Sequence, residues 1–203
     1  MQAPKDFFFD AAAGITSRVK ERLDDGIHAD SLDDSGHTAL MKASQYGHKA
    51  VCELLITRRC NVDMQDKDGD TALMKASKSC QKVVPVCELL ITRGCNVDMQ
   101  NNKGYTALIW ASWWGREAVC ELLITRGCNV DMQDKDGYTA LIAASFNGHI
   151  PIVISLIEAG CDYSLRDNQG KSAMDKLREY HPDKVKEVQV SRSPSAVVTH
   201  SLI

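Results

Sequence analysis

The stretch Val119-Cys120-Glu121-Leu122-Leu123-Ile124-Thr125-Arg126 occurs three times in the chain, opening also at Val51 and at Val86. A second tract, Thr-Ala-Leu, recurs at Thr38, Thr71, Thr106 and Thr139, with spacings of 33, 35 and 33 residues. Periods of this length mark stacked repeats. Working outward from the two tracts gives units at 33–65, 66–100, 101–133 and 134–166, with a truncated unit from Asp167. The 35-residue unit carries its two extra residues around Ser79 to Val84.

Each unit reads as a turn and two helices. Asp66-Lys67-Asp68-Gly69 and its counterparts carry tight-turn chemistry, Asp bonding its own backbone and Gly accepting positive φ. Thr38, Thr71, Thr106 and Thr139 then stand where a hydroxyl accepts an orphan N–H at a helix start. Gly47, Gly115 and Gly148 close a short first helix in the left-handed conformation common at that place. A second helix is expected from about Ala50 to Arg58, with Val51, Leu54 and Leu55 forming one apolar face. Gly94, Gly127 and Gly160 end its later copies; Arg59 replaces Gly in the first, so that cap is either strained or of another form.

These residues resemble the ankyrin repeat family. Its Thr-Pro-Leu-His signature stands here as Thr38-Ala39-Leu40-Met41, Thr71-Ala72-Leu73-Met74, Thr106-Ala107-Leu108-Ile109 and Thr139-Ala140-Leu141-Ile142. Its closing motif is matched by Gly94-Cys95-Asn96-Val97-Asp98 and Gly127-Cys128-Asn129-Val130-Asp131. The resemblance spans roughly residues 10 to 190 and implies an all-α ankyrin-repeat solenoid of stacked turn-helix-helix units. It departs systematically at Pro, here Ala, and at His, here Met or Ile, so apolar packing is expected in place of the family's imidazole bonds. Residues 1–5 are read as a disordered start, 6–32 as N-terminal capping helices, 167–189 as a C-terminal capping partial repeat and 190–203 as a disordered tail.

Composition narrows the function. A net charge of −3 and a pI near 6.1 offer no basic stripe for a phosphate backbone, so nucleic acid is not an expected partner. The longest apolar stretches, Phe7 to Phe9 and Ile150 to Ile157, fall far short of the ~20 residues that span a bilayer, and no membrane insertion is expected. The start lacks a secretory pattern, which points to a reducing compartment, cytoplasm or nucleus. Seven of the eight cysteines track the repeat and read as small buried hydrophobes; Cys80 falls outside the pattern and is the expected reactive thiol. A monomer is expected.

Catalysis has no candidate constellation, and the chain is read as a non-enzyme without metal or cofactor. Asp66 to Asp70 imitates a calcium loop, but Thr71 and Ser77 stand where its Gly and its Glu belong. Tyr180-His181-Pro182-Asp183-Lys184 resembles the His-Pro-Asp loop of J-domain cochaperones, yet too few residues follow; a Pro opening the last helix explains it. The six histidines read as scattered over turns and tail.

The informative signal is where the copies differ. Units 33–65 and 101–133 share 22 of 33 residues, and most differences fall on the turn tip and one side of the first helix. At 100° per residue, Leu108, Ala111 and Ser112 form the packed face, while Trp110, Trp113 and Trp114 point the other way. Equivalent places carry Lys42, Gln45 and Tyr46, then Lys75, Lys78 and Ser79, then Ala143, Phe146 and Asn147. The resemblance implies that this side lines a concave partner-binding groove. Trp110, Trp113, Trp114 and Phe146, with Tyr105, Tyr138 and Tyr46, are therefore read as an aromatic anchor, flanked by a basic group of Lys42, Lys75 and Lys78. The bland alternative is rings tucked against adjacent helices; exposed aromatic patches are uncommon on monomers, which favours the anchor.

The expected partner is another protein, engaged through an extended segment with an apolar anchor and acidic neighbours. Two alternatives stand beside this reading. One is a regulatory region of a larger enzyme or channel. The other is an aromatic cage for methyl-lysine, whose needed carboxylate partner is not obvious beyond Glu117 and Asp136. Thr199 to Ile203 also fits a PDZ ligand, if Ile203 is the true terminus.

Overall fold

The computed structural model describes residues 5–79 and 81–191. Cys80 and the PDZ-like ending at Thr199 to Ile203 lie outside the described residues. Twelve α-helices make up the described chain, with no strand beyond two isolated bridges, Leu32 with Thr38 and Arg166 with Ser172.

The helices come in pairs: α1 Lys5–Ala12 and α2 Thr16–Asp24; α3 Ala39–Tyr46 and α4 Lys49–Thr57; α5 Ala72–Ser77 and α6 Val84–Thr92; α7 Ala107–Trp113 and α8 Glu117–Thr125; α9 Ala140–Phe146 and α10 Ile150–Glu158; α11 Ala173–Tyr180 and α12 Val185–Ser191. First helices stack on first helices and second on second, the packing of an all-α solenoid. The extra residues of the second unit form a 3-10 turn, Gln81–Val83, running into α6. Lys5 already belongs to α1, and residues 190 and 191 belong to α12. The rest of the segments read from the sequence as a disordered start and tail lies outside the described residues.

Local chemistry explains the helix starts. Thr38, Thr71, Thr106 and Thr139 accept from the N–H of Met41, Met74, Ile109 and Ile142 at 3.1, 3.3, 3.2 and 3.2 Å. Those Met and Ile side chains are themselves almost wholly buried, so apolar contact does occupy the place of the family's imidazole. Arg59 takes φ 60, the left-handed cap with its strain accepted.

Hydrogen bonds repeat along the array with the same period. Gln65 Nε2 donates to Gly69 O and to Gln100 O of the next unit; Gln100 and Gln133 do the same one and two units on. The carboxylates of Asp30, Asp63, Asp98 and Asp131 accept from the backbone N–H of Asn61, Asn96, Asn129 and Asp162 in the following unit. Three histidines read as scattered are in register: Nε2 of His48, His149 and His181 donates to the carbonyl of Ala12, Trp113 and Phe146, each near the end of the preceding first helix. The seven described cysteines are buried and unpaired. Burial pushes the thiols of Cys52 and Cys161 up to about 11 and those of Cys60, Cys87, Cys95, Cys120 and Cys128 up to about 12. They are poor nucleophiles.

Candidate functional site

The units open at Asp33, Asp66, Asn101, Asp134 and Asp167, and four positions of each lie in the turn, in the first helix or at its end. Four residues after the opening stand His37, Asp70, Tyr105, Tyr138 and Lys171. Nine after it stand Lys42, Lys75, Trp110, Ala143 and Lys176. Twelve and thirteen after it stand Gln45 and Tyr46, Lys78 and Ser79, Trp113 and Trp114, Phe146 and Asn147, Glu179 and Tyr180.

The opening residue folds the turn. Oδ1 of Asp33, Asp66, Asn101, Asp134 and Asp167 accepts two backbone N–H groups from the turn it begins, at 2.8 to 2.9 Å. Where the opening residue is Asp, its Oδ2 remains for a cation. Lys42 Nζ lies 3.0 Å from Asp33 Oδ2, Lys75 Nζ 2.5 Å from Asp66 Oδ2 and Lys176 Nζ 2.7 Å from Asp167 Oδ2. His37 bridges Asp33 and Asp66 at 3.2 and 3.4 Å, and Lys78 pairs with Asp70. Burial works against the charged form of Asp33, but the N–H groups of His37 and Ser35 together with Lys42 outweigh it and hold its pKa at about 2.

The expected basic flank is therefore corrected. Lys42, Lys75 and Lys78 are each ion-paired to a turn aspartate, and counting cations along the first helices overlooked the aspartates eight or nine residues upstream.

The other half of this side is aromatic. Tyr105 and Trp110 lie with ring centroids 4.4 Å apart. Trp113 is stacked on Phe146 at 5.6 Å and meets Tyr138 at 5.8 Å; Phe146 meets Tyr180 at 4.6 Å. Lys78 Nζ sits 4.3 Å from the Trp110 ring centroid and joins the charged half to the aromatic one. Trp114 is 49% exposed at the end of α7, and Tyr180 47%. Trp113 and Phe146 are half-buried, against each other and not against the core cluster.

Three expectations need adjusting. Trp110 does not simply face away from the core: it packs against it, with Nε1 buried and without a hydrogen-bond partner. Tyr46, 55% exposed, is remote in the array from the other rings. It lines an open cavity of about 810 Å³ at the N-terminal end with Phe8, Phe9, Leu32 and Lys42. Tyr180 and Lys176 were missed because α11 lacks the Thr-Ala-Leu tract. The signal that finds them is the fixed spacing from Asp167.

The sequence matches the family model described as ankyrin repeats (3 copies) over residues 8–100, 58–134 and 82–167. The chain belongs to the ankyrin repeat family. Ankyrin repeats are protein–protein interaction modules. No curated protein matches this sequence. Among the described residues no helix of this ankyrin array is long and apolar enough to cross a membrane.

Proposed function

We propose that this ankyrin array is a non-enzymatic scaffold that binds an extended segment of another protein along its turns and first helices. The anchor is the aromatic group Trp113, Trp114, Phe146 and Tyr180, with Tyr105, Trp110 and Tyr138 as its floor. One observation carries the reading: Trp114 leaves half its surface in water at the end of α7, next in the chain to Trp113, which stacks on Phe146 and not on the core. Indoles in such a position dominate binding energy when covered, since each removes ~150–250 Å² from water. The acidic neighbours first expected in the partner lose their basis, because Lys42, Lys75 and Lys78 are already neutralised.

A photo-crosslinking residue at position 114, compared with one at the exposed Glu121 of α8, tests this. Crosslinking of one distinct partner from position 114 alone is the expected result. Equal labelling from both positions contradicts it.

A further inference from the structure

Lys176 occupies a ready-made ammonium pocket. Its Nζ lies 2.7 Å from Asp167 Oδ2, 5.1 Å from the Tyr138 ring centroid and 5.8 Å from that of Phe146. All three wall residues recur 33 positions earlier, as Asp134, Tyr105 and Trp113. The cation does not: Ala143 stands where Lys176 stands one unit later.

The other units show what this omission means. Lysine nine residues after the turn Asp pairs with its Oδ2 at Asp33, Asp66 and Asp167. In the unit opening at Asn101 both partners are gone together, Asn for the carboxylate and Trp110 for the lysine, and no charge is stranded. Only at Asp134 is the carboxylate kept and its lysine removed. Asp134 is 7% exposed; its Oδ1 serves the N–H groups of Asp136 and Tyr138 at 2.9 and 2.8 Å, and no cation pairs with it among the described residues. Burial, with the neighbouring Asp136 charge, raises its pKa despite N–H bonds from Tyr138, Asp136 and Gly137, whereas its lysine-paired counterparts Asp33 and Asp167 are lowered against the same burial. Tyr105 stands close enough that the Asp134 charge, after burial, pushes its phenol up.

We propose that the array accepts a lysine side chain of its partner at Asp134, between Tyr105 and Trp113, supplying in trans the ammonium that Lys176 supplies in cis one unit on. This rests on the groove reading above and names the chemistry of one of its subsites. An ammonium suits a carboxylate without a described cation, in the register where Tyr138 and Phe146 flank the ammonium of Lys176 one unit on, whereas a hard metal ion would demand several oxygens. The ammonium also donates a hydrogen bond to Oδ2, which a fully methylated one cannot.

The test uses the whole chain and n-butylammonium as the lysine side-chain probe, followed by tryptophan fluorescence and amide NMR at constant ionic strength. Saturable shifts around Asp134, Tyr105 and Trp113 are expected, with n-butanol inert and n-butylguanidinium and butyltrimethylammonium weaker. Asp134→Asn is expected to weaken the probe by about tenfold or more without lowering the melting temperature. Asn is already accommodated at this turn position, where Asn101 makes the same two bonds at 2.9 Å. Wild-type affinity in Asp134→Asn, an equal response to butanol, or tighter binding of the guanidinium or trimethylammonium probe overturns the proposal. Because the probe needs no partner, its failure is separable from that of the groove reading, which stands or falls on Trp114.

Discussion

Lys176 Nζ lies 2.7 Å from Asp167 Oδ2, with only 3% and 1% of the two side chains exposed. Removing one member of such a pair strands the other. Asp167→Asn is therefore expected to cost about 3 kcal/mol in chemical denaturation. The same change one unit earlier runs the other way: among the described residues no cation pairs with Asp134, so Asp134→Asn is expected to be neutral or to stabilise by on the order of 1 kcal/mol. Two losses of equal size would show that the pairing pattern has no energetic meaning.

The acid limb of stability follows from Asp33. Its pKa of about 2 in the folded chain lies below the ~3.9 of an unfolded aspartate. A depressed acid pKa contributes fully above the unfolded value and is lost as pH falls through the folded one. Asp33→Asn is expected to cost roughly 2 kcal/mol at pH 7 and little near pH 2, read from urea unfolding across that range. A pH-independent loss would assign the effect to packing instead.

Arg59 holds φ 60 where Gly94, Gly127 and Gly160 hold 84, 75 and 80 in the other units. A built Cβ meets nothing within 4 Å at those three glycines, so the penalty at Arg59 is one of backbone conformation and not of space. Arg59→Gly is expected to raise stability by about 1 kcal/mol, and Gly127→Arg to lower it by a similar amount. Thermal unfolding of both variants checks the symmetry.

Gly115 and His149 interlock between units. A Cβ on Gly115 would stand 2.7 Å from His149 Cε1 at φ +65, while His149 Nε2 reaches Trp113 O at 3.3 Å. Gly115→Ala is expected to cost about 2–3 kcal/mol, His149→Ala about 1, and the double variant less than their sum, because the truncated ring no longer clashes. Strict additivity in the double-mutant cycle would refute the interlock.

The fold was legible because its signals are local. A hydroxyl at Thr106 three residues before the N–H it caps, or a Gly at the end of a helix, works the same way in every copy, so repetition exposes it. The aromatic side was legible as the place where near-identical copies diverge. What stayed hidden needed folding. Asp33 reaches Lys42 only once the turn bends back over the helix, and the His149 contact is made 36 residues away. Tyr180 and Lys176 sit in a unit whose sequence has drifted furthest, where only the distance from Asp167 identifies them. The partial burial of Trp110 was unreadable for another reason: helical projection gives a direction but not the Tyr105 ring and the Lys78 ammonium that lie against it.

The central claim is that the aromatic side of the later units is a docking surface and not a displaced piece of core. The most direct measurement is the affinity of the partner crosslinked at position 114 for wild type, Trp114→Ala and the outer-face control Glu121→Ala, with melting temperature taken on the same samples. The account predicts that Trp114→Ala weakens binding about thirtyfold or more, as loss of a central indole does, while its melting temperature stays with that of the control. Undiminished affinity, or a melting temperature that falls sharply in Trp114→Ala alone, would contradict it.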